Sequence, residues 1–224
     1  MASHIELTAR DGHKFAAYKA EPAHRPKGAI LVIQEIFGVN GHIRAVTDGY
    51  AAAGYLAIAP ALYDRAQRGY ETGYLPQDIE AGRTIMQSLD IDNTLKDVEA
   101  CLEHARPAGR VGMVGYCWGG TIAWVAAARV NSLACSVPYY GGGIFGYIGE
   151  KPKCPVMFQF GEQDKSPTPE QARQVVAAHP STLAHFYDAG HGFNCDQRGS
   201  YNAEASALAK TRSLEFFGKH LAAS

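Results

Sequence analysis

Cys117 stands in the segment 115–120 (Gly-Tyr-Cys-Trp-Gly-Gly), between an apolar run, Val111–Val114, and a helical run, Gly119–Arg129. A nucleophile on a tight strand-to-helix turn has a strained backbone, and the flanking glycines let neighbouring chains approach closely. The N–H groups at the start of the following helix favour both a thiolate and an oxyanion. The pattern predicts a cysteine nucleophile. The alternative is a small buried residue in a glycine turn.

Two further side chains follow predicted strands in the order that such a nucleophile requires. Asp164 comes after the apolar run Val156–Phe160, and His191 lies between glycines after Ala184–Tyr187. A cysteine nucleophile needs a base, and the base needs a carboxylate to orient it. Because the carboxyl ends of parallel strands lie at one edge of a sheet, we expect these three side chains to meet there.

The elements that position these residues alternate between strands and helices. The predicted strands are Ile5–Ala9, His13–Tyr18, Ala29–Ile33, Tyr55–Ala59, Val111–Val114, Leu133–Tyr139, Val156–Phe160 and Ala184–Tyr187. The predicted helices are Ile43–Ala53, Asp78–Ala105, Gly119–Arg129, Pro169–Ala178 and Asn202–His220. This alternation predicts an α/β fold with a mostly parallel sheet of about eight strands, helices on both faces and an antiparallel hairpin at one edge. No linker or repeat divides the chain, so we expect residues 1–224 to form a single domain.

The segment Tyr63–Gln77 is rich in glycine and tyrosine and shows no clear period. A connection of this length inside an α/β domain is a lid or binding loop, or else an ordered surface crossover. The sequence leaves both alternatives open.

Composition restricts the partners and the compartment. The net charge is −1 without any basic run, which gives no support to nucleic acid or an anionic membrane as a partner. The first residues lack the features of a signal peptide, and no stretch approaches the length of a membrane span. The five cysteines include no CxxC pair, so we expect no disulfide framework or structural zinc site and a reducing cytoplasm. We expect a monomer or a homodimer.

At these residues the chain resembles the dienelactone hydrolase family over nearly its whole length. The resemblance is carried by the segments 34–40 (Gln-Glu-Ile-Phe-Gly-Val-Asn), 115–120, 161–164 (Gly-Glu-Gln-Asp) and 190–193 (Gly-His-Gly-Phe). It implies the α/β-hydrolase fold, hydrolysis of small carboxylic esters or lactones, and no metal or organic cofactor. It also implies a triad of Cys117, His191 and Asp164, with an oxyanion hole formed by the backbone N–H groups of Ile36 and Trp118.

Glu35 stands at the end of a buried apolar run, where a carboxylate is costly unless it is paired. The resemblance implies that this glutamate holds the resting thiol of Cys117 and helps to deprotonate it when substrate arrives. The alternative is a structural glutamate that caps the following turn.

The sequence differs from the family pattern at residues that bind the substrate. Members that act on dienelactones bind a substrate carboxylate with an arginine four residues after the histidine, where this chain has Cys195. A second arginine and a tyrosine of the family align with Ile79 and Arg83. We therefore expect the carboxylate clamp and an arginine partner for Glu35 to be largely missing, unless Arg83 or Arg198 substitutes, and we expect a less acidic substrate.

Several aromatic residues in or beside the predicted active-site loops are candidates to line an apolar pocket for the acyl group. They are Phe37, Trp118, Tyr140, Phe145 and Phe193. Packing within the loops is the alternative.

Three functions remain open at this point. The first is a cysteine hydrolase of small esters or lactones, and the second is a broad carboxylesterase or thioesterase of other substrates. The third is a non-catalytic α/β-hydrolase module, for example a redox sensor in which Cys117 oxidises and Cys195 forms a disulfide with it. The complete set of cysteine, carboxylate and histidine favours an enzyme.

Overall fold

Eight strands form one sheet in the computed structural model, which describes residues 1–222, so the last two residues of the predicted domain lie outside the described part. The strands are β1 (Ala2–Thr8), β2 (Lys14–Ala20), β3 (Ala29–Ile33), β4 (Leu56–Pro60), β5 (Val111–Tyr116), β6 (Cys135–Tyr139), β7 (Met157–Gly161) and β8 (Leu183–Tyr187). Their order across the sheet is β1-β2-β4-β3-β5-β6-β7-β8. β2 is antiparallel to β1 and β4, and every other pair is parallel. The predicted mostly parallel sheet with an antiparallel edge is confirmed.

Six α-helices lie between or after these strands in the described part of the chain. They are α1 (Gly41–Ala52), α2 (Pro76–Ser88), α3 (Ile91–Ala105), α4 (Trp118–Arg129), α5 (Pro169–Ala178) and α6 (Ala203–Leu221). Short 3-10 turns occur at Leu62–Arg65, Arg106–Ala108 and Ile144–Tyr147. None of the helices between residues 1 and 222 combines the length and the apolar character needed to cross a membrane.

The prediction of one helix over Asp78–Ala105 is wrong, because the chain forms α2 and α3 there. Leu89 has an extended backbone (ψ 133°), and the Asp90 side chain accepts a hydrogen bond from the Asn93 N–H at 2.8 Å. An aspartate in this position caps the N-terminus of a new helix. The apolar period continues across the break, so periodicity alone does not show it.

Alternate residues of the central strands are buried on opposite faces of the sheet. In β3, Leu31 packs into the core that contains Trp124, whereas Ile30 packs into the core that contains Phe217. All five residues of β3 are fully buried. Burial of each such aliphatic side chain stabilises the fold by roughly 1.5–3 kcal/mol. The central strands therefore form a rigid support for the loops at their carboxyl ends.

Backbone and side-chain contacts hold the segment Tyr63–Gln77 against the loop after β3 and against α1. The Thr72 N–H donates to the Phe37 carbonyl oxygen at 3.1 Å. The Arg44 guanidinium donates to both carboxylate oxygens of Glu71 at 2.7 Å. These contacts favour an ordered crossover over a freely moving lid.

Candidate active site

Cys117 lies between β5 and α4 in a conformation that few non-glycine residues adopt, with φ 55° and ψ −118°. A side chain at Gly119 would lie 2.5 Å from the carbonyl oxygens of both Ile33 and Gln34. The elbow therefore presses directly against the end of β3, which leaves no room for a Cβ at this position. Such backbone strain costs about 1–3 kcal/mol and persists only where the surrounding structure holds it. Here the central strands hold it and present the sulfur at the sheet edge.

The structure brings the three predicted triad side chains together. His191 Nε2 lies 3.1 Å from Cys117 Sγ, and His191 Nδ1 lies 2.9 Å from Asp164 Oδ2. Asp164 is buried, and its Oδ1 also accepts a hydrogen bond from the Ser166 N–H at 2.8 Å. The carboxylate is thereby fixed and orients the imidazole, which in turn faces the sulfur.

The environment of His191 favours its protonated form. Burial opposes the charged ring, but the neighbouring Cys117 sulfur and the Asp164 carboxylate outweigh it and raise the pKa of His191 to about 10. An imidazolium held beside a sulfur can stabilise a thiolate, and it can donate its proton to a leaving group.

The two predicted oxyanion donors lie beside Cys117. Trp118 is the first residue of α4, a position whose N–H has no acceptor one turn earlier in the helix. Ile36 follows β3, the neighbour of β5 in the sheet. Both residues line the same cavity as Cys117.

Glu35 is paired with Arg198, one of the two substitutes that the sequence left open, so the expectation of a largely missing arginine partner is wrong. Arg198 Nη1 donates to Glu35 Oε1 at 3.2 Å, and the Glu35 side chain is only 1% exposed. Burial disfavours the charged guanidinium, but the neighbouring acidic groups, Glu35 first among them, together outweigh it and raise the pKa of Arg198. Within residues 1–222, Glu35 makes no hydrogen bond to Cys117, whose sulfur faces His191 instead.

Two tight turns explain how Arg198 reaches this position. The Cys195 N–H donates to the Gly192 carbonyl oxygen, and the Arg198 N–H donates to the Cys195 carbonyl oxygen. The chain after His191 therefore folds back on itself and directs Arg198 toward the site. The position four residues after His191, where members of the family that act on dienelactones have an arginine, is Cys195 in this chain, and Cys195 is fully buried.

A cavity of about 560 Å³ opens at Cys117, Asp164 and His191. Four of the predicted pocket residues line it: Phe37, Arg83, Trp118 and Arg198. Further apolar lining residues, most of them on α2 and α3, are Ile79, Met86, Leu89 and Ile91. Lys165, which the sequence analysis did not single out, also lines the cavity. Ile79, Arg83 and Met86 are spaced so that they lie on one face of a helix, and this spacing could have predicted that α2 lines the cavity.

Three predicted pocket aromatics do not line the cavity. Tyr140 and Phe193 have no exposed surface and pack against each other, with ring centroids 5.2 Å apart. The Tyr140 ring also lies 5.2 Å from the His191 ring, so it supports the histidine from behind. Phe145 is partly buried and packs against the hydrophobic core. Their positions after strands suggested the pocket, but their side chains point into the protein.

Comparison with known proteins agrees with this geometry. Residues 15–221 match the model of the dienelactone hydrolase family. A carboxymethylenebutenolidase of Pseudomonas putida is 36% identical, with 95% of this chain and 94% of the relative covered.

Solved structures extend this likeness to the fold. A candidate dienelactone hydrolase from Klebsiella pneumoniae has a TM-score of 0.84 at 28% identity, with 98% of this chain and 99% of that chain covered. The Pf2001 esterase of Pyrococcus furiosus has a TM-score of 0.72 at 16% identity, with 99% and 93% covered, and this likeness concerns the fold alone. The predictions of an α/β-hydrolase fold and of a hydrolase of esters or lactones are confirmed. The chain belongs to the dienelactone hydrolase family.

Proposed function

We propose that the chain hydrolyses small carboxylic esters or lactones through an acyl-enzyme on Cys117. The observation that carries the proposal is the contact of Cys117 Sγ with His191 Nε2 at 3.1 Å, with Asp164 behind the ring and a cavity in front of the sulfur. A nucleophile, a base and an orienting carboxylate in this order are the parts that acyl transfer requires. A non-catalytic module has no need for this alignment.

The first half of the reaction forms a thioester. The Cys117 sulfur attacks the carbonyl carbon, and the N–H groups of Ile36 and Trp118 stabilise the oxyanion that develops. The carbon–oxygen bond to the leaving group then breaks, and His191 donates its proton to the departing oxygen. In a lactone this oxygen stays attached to the acyl chain as a hydroxyl group.

The second half regenerates the enzyme. His191 takes a proton from a water molecule, whose oxygen attacks the thioester carbonyl carbon. The carbon–sulfur bond breaks and the acid leaves. Cys117 is then again a thiolate beside the His191 imidazolium. At rest Cys117 is a thiol, and we assign Glu35 the role of its local base. When a substrate anion competes for Arg198, Glu35 takes the thiol proton, and it returns that proton to the sulfur once the acid has left.

The charges of the cavity support a substrate that carries an anionic group. Arg83, Lys165 and Arg198 line the wall, and the one carboxylate among the lining residues, Asp164, is bound to His191. A guanidinium binds a carboxylate in a planar, directional way. The reason for expecting a less acidic substrate, a missing arginine, no longer holds. We therefore propose a small ester or lactone with a carboxylate, held between Arg198 and the apolar side chains of α2.

We further propose that the enzyme acts on this small molecule in the cytoplasm as a monomer or a homodimer. The five cysteines are all free, as they are in a reducing compartment. The net charge of −1 does not favour nucleic acid as a partner.

Hydrolysis of p-nitrophenyl acetate and of a dienelactone, with the intact mass of the enzyme recorded during turnover, tests the proposal. Wild type is compared with Cys117→Ala and with a matched control, Cys154→Ser, which changes a partly buried cysteine that does not line the cavity. We expect an acyl adduct and turnover in wild type and Cys154→Ser, and neither in Cys117→Ala. Equal turnover in Cys117→Ala would refute the thiol mechanism.

A further inference from the structure

Three side chains with different chemistry meet behind the wall of the cavity. A carboxylate oxygen of Glu35, a ring nitrogen of His42 and the sulfur of Cys195 lie within 4.8 Å of one another. They come from the end of β3, from α1 and from the loop after His191. The exposed fractions of these residues are 1%, 3% and 0%. Neither His42 nor Cys195 takes part in the proposed reaction.

His42 has a free ring nitrogen in this buried place. Its Nδ1 lies 3.1 Å from Asp196 Oδ1, and its Nε2 is buried without a hydrogen-bond partner in residues 1–222. An unsatisfied buried polar atom costs about 1–3 kcal/mol, so it calls for an explanation. An imidazole that donates one N–H to a carboxylate presents the lone pair of its other nitrogen, which is the usual arrangement of a histidine bound to a metal.

The ligand set fits zinc. Thiolate, imidazole and carboxylate are the three groups that bind Zn²⁺ in proteins, and a three-residue site leaves a fourth position open. Bonds of about 2.0–2.3 Å place tetrahedral ligand atoms about 3.5 Å apart, so shifts of about 1 Å would close the cluster on an ion.

The local charges also balance when an ion is present. A divalent cation and Arg198 carry three positive charges, and Glu35, Asp196 and an ionised Cys195 carry three negative ones. Zinc binds the thiolate form of cysteine, so the metal replaces the proton of the Cys195 thiol. Binding then forms a metal–sulfur bond and releases one proton to water.

We propose that Glu35, His42 and Cys195 form a site for Zn²⁺ or a similar thiophilic divalent cation, and that its occupation inhibits the hydrolase. The inhibitory role rests on the proposed function, in which Glu35 exchanges between Arg198 and the thiol of Cys117. A metal that holds the Glu35 carboxylate prevents this exchange. The binding site itself does not depend on the proposed reaction.

Titration of the chelator-treated full chain with Co²⁺, followed by thiolate-to-cobalt charge-transfer absorption, tests the site. Cys117 and His191 are a rival thiol–imidazole pair, so Cys117→Ser is the matched control for Cys195→Ser. We expect the band to persist in Cys117→Ser and to disappear in Cys195→Ser and Cys195→Ala, with unchanged circular dichroism. We expect His42→Gln and Asp196→Asn to weaken binding at least about tenfold. A band that is lost in Cys117→Ser and kept in Cys195→Ser, or no band in any variant, would overturn the site.

Ester hydrolysis in the presence of Zn²⁺ tests the inhibitory role. We expect Cys195→Ser to need at least about ten times more Zn²⁺ for half inhibition than wild type, each measured against its own rate without metal. Equal sensitivity of the two proteins would overturn the inhibitory role. A cobalt band in Cys117→Ser together with no wild-type hydrolysis of any ester would support the site and contradict the proposed function.

Discussion

Two buried arginine–carboxylate pairs differ in how many N–H donors of the guanidinium bind a carboxylate. Arg65 donates to Asp97 from Nε at 2.8 Å and from Nη2 at 2.6 Å, and it also makes two bonds to Asp11. Within residues 1–222 the Arg198 guanidinium makes one hydrogen bond, to Glu35 at 3.2 Å, and it lies 5.5 Å from the Phe37 ring centroid. The two carboxylates are almost equally hidden, since the Asp97 and Glu35 side chains are 0% and 1% exposed.

The difference distinguishes a structural pair from the pair to which we assign a function. Arg65 makes four hydrogen bonds to carboxylates and joins the 3-10 turn Leu62–Arg65 to α3 and to the turn between β1 and β2. Arg198 lines the cavity with donors that are not bound by Glu35, so a second anion can bind there. Burial and charge are alike at the two sites. What distinguishes them is the number of donors that the protein itself already satisfies.

The largest expected effect is the loss of the Arg65–Asp97 pair. Arg65→Met leaves Asp97 buried and without its partner, so the free energy of unfolding in urea should fall by about 3–5 kcal/mol. The kcat/KM of the folded protein should not change, because Arg65 does not line the cavity. Arg68→Met is the control, since Arg68 is 57% exposed and its pair with Glu6 is worth no more than about 1 kcal/mol. Equal losses in the two variants would contradict the structural role of Arg65.

The same substitution at both sites sharpens the comparison. Lysine keeps the positive charge but loses the planar fork that binds a carboxylate with two N–H groups. Arg198→Lys should lower kcat/KM about tenfold for an ester that carries a carboxylate, and much less for a neutral ester of the same size. Arg65→Lys should leave the ratio of the two rates unchanged and lower the melting temperature. A similar loss on both esters in Arg198→Lys would show that Arg198 does not bind the substrate anion.

The smallest expected effect concerns pH. Because the pKa of His191 is raised to about 10, its contribution to stability is complete below its ordinary value of 6.5 and is lost as pH rises through about 10. Between pH 7 and pH 10 wild type should lose about 1 kcal/mol relative to His191→Gln, a modest amount because the side chain is 26% exposed. Denaturant unfolding at both pH values measures it. Arg65→Met should keep the wild-type slope, and an identical slope in His191→Gln would contradict the raised pKa.

Much of the fold could be predicted because local patterns carry it. β5 and α4 were predicted within two residues of their observed ends, since a buried parallel strand is continuously apolar and the glycine turn marks the boundary. The break between α2 and α3 was missed, because the apolar period continues through Leu89 while the cap depends on one side-chain bond of Asp90. A single hydrogen bond leaves little trace in a pattern of hydrophobicity.

At the site, the sequence by itself determined the order of Cys117, Asp164 and His191 at the ends of successive strands, because parallel strands bring such residues to one edge. Only the tertiary structure decided which side chains face the cavity. It directed Tyr140 and Phe193 into the core and folded the chain back so that Arg198, not Cys195, reaches Glu35. The physical reason is that strand order follows from local periodicity, whereas the direction of a loop side chain depends on turns and packing between distant segments. The meeting of Glu35, His42 and Cys195 has the same origin, since these residues come from three separate elements.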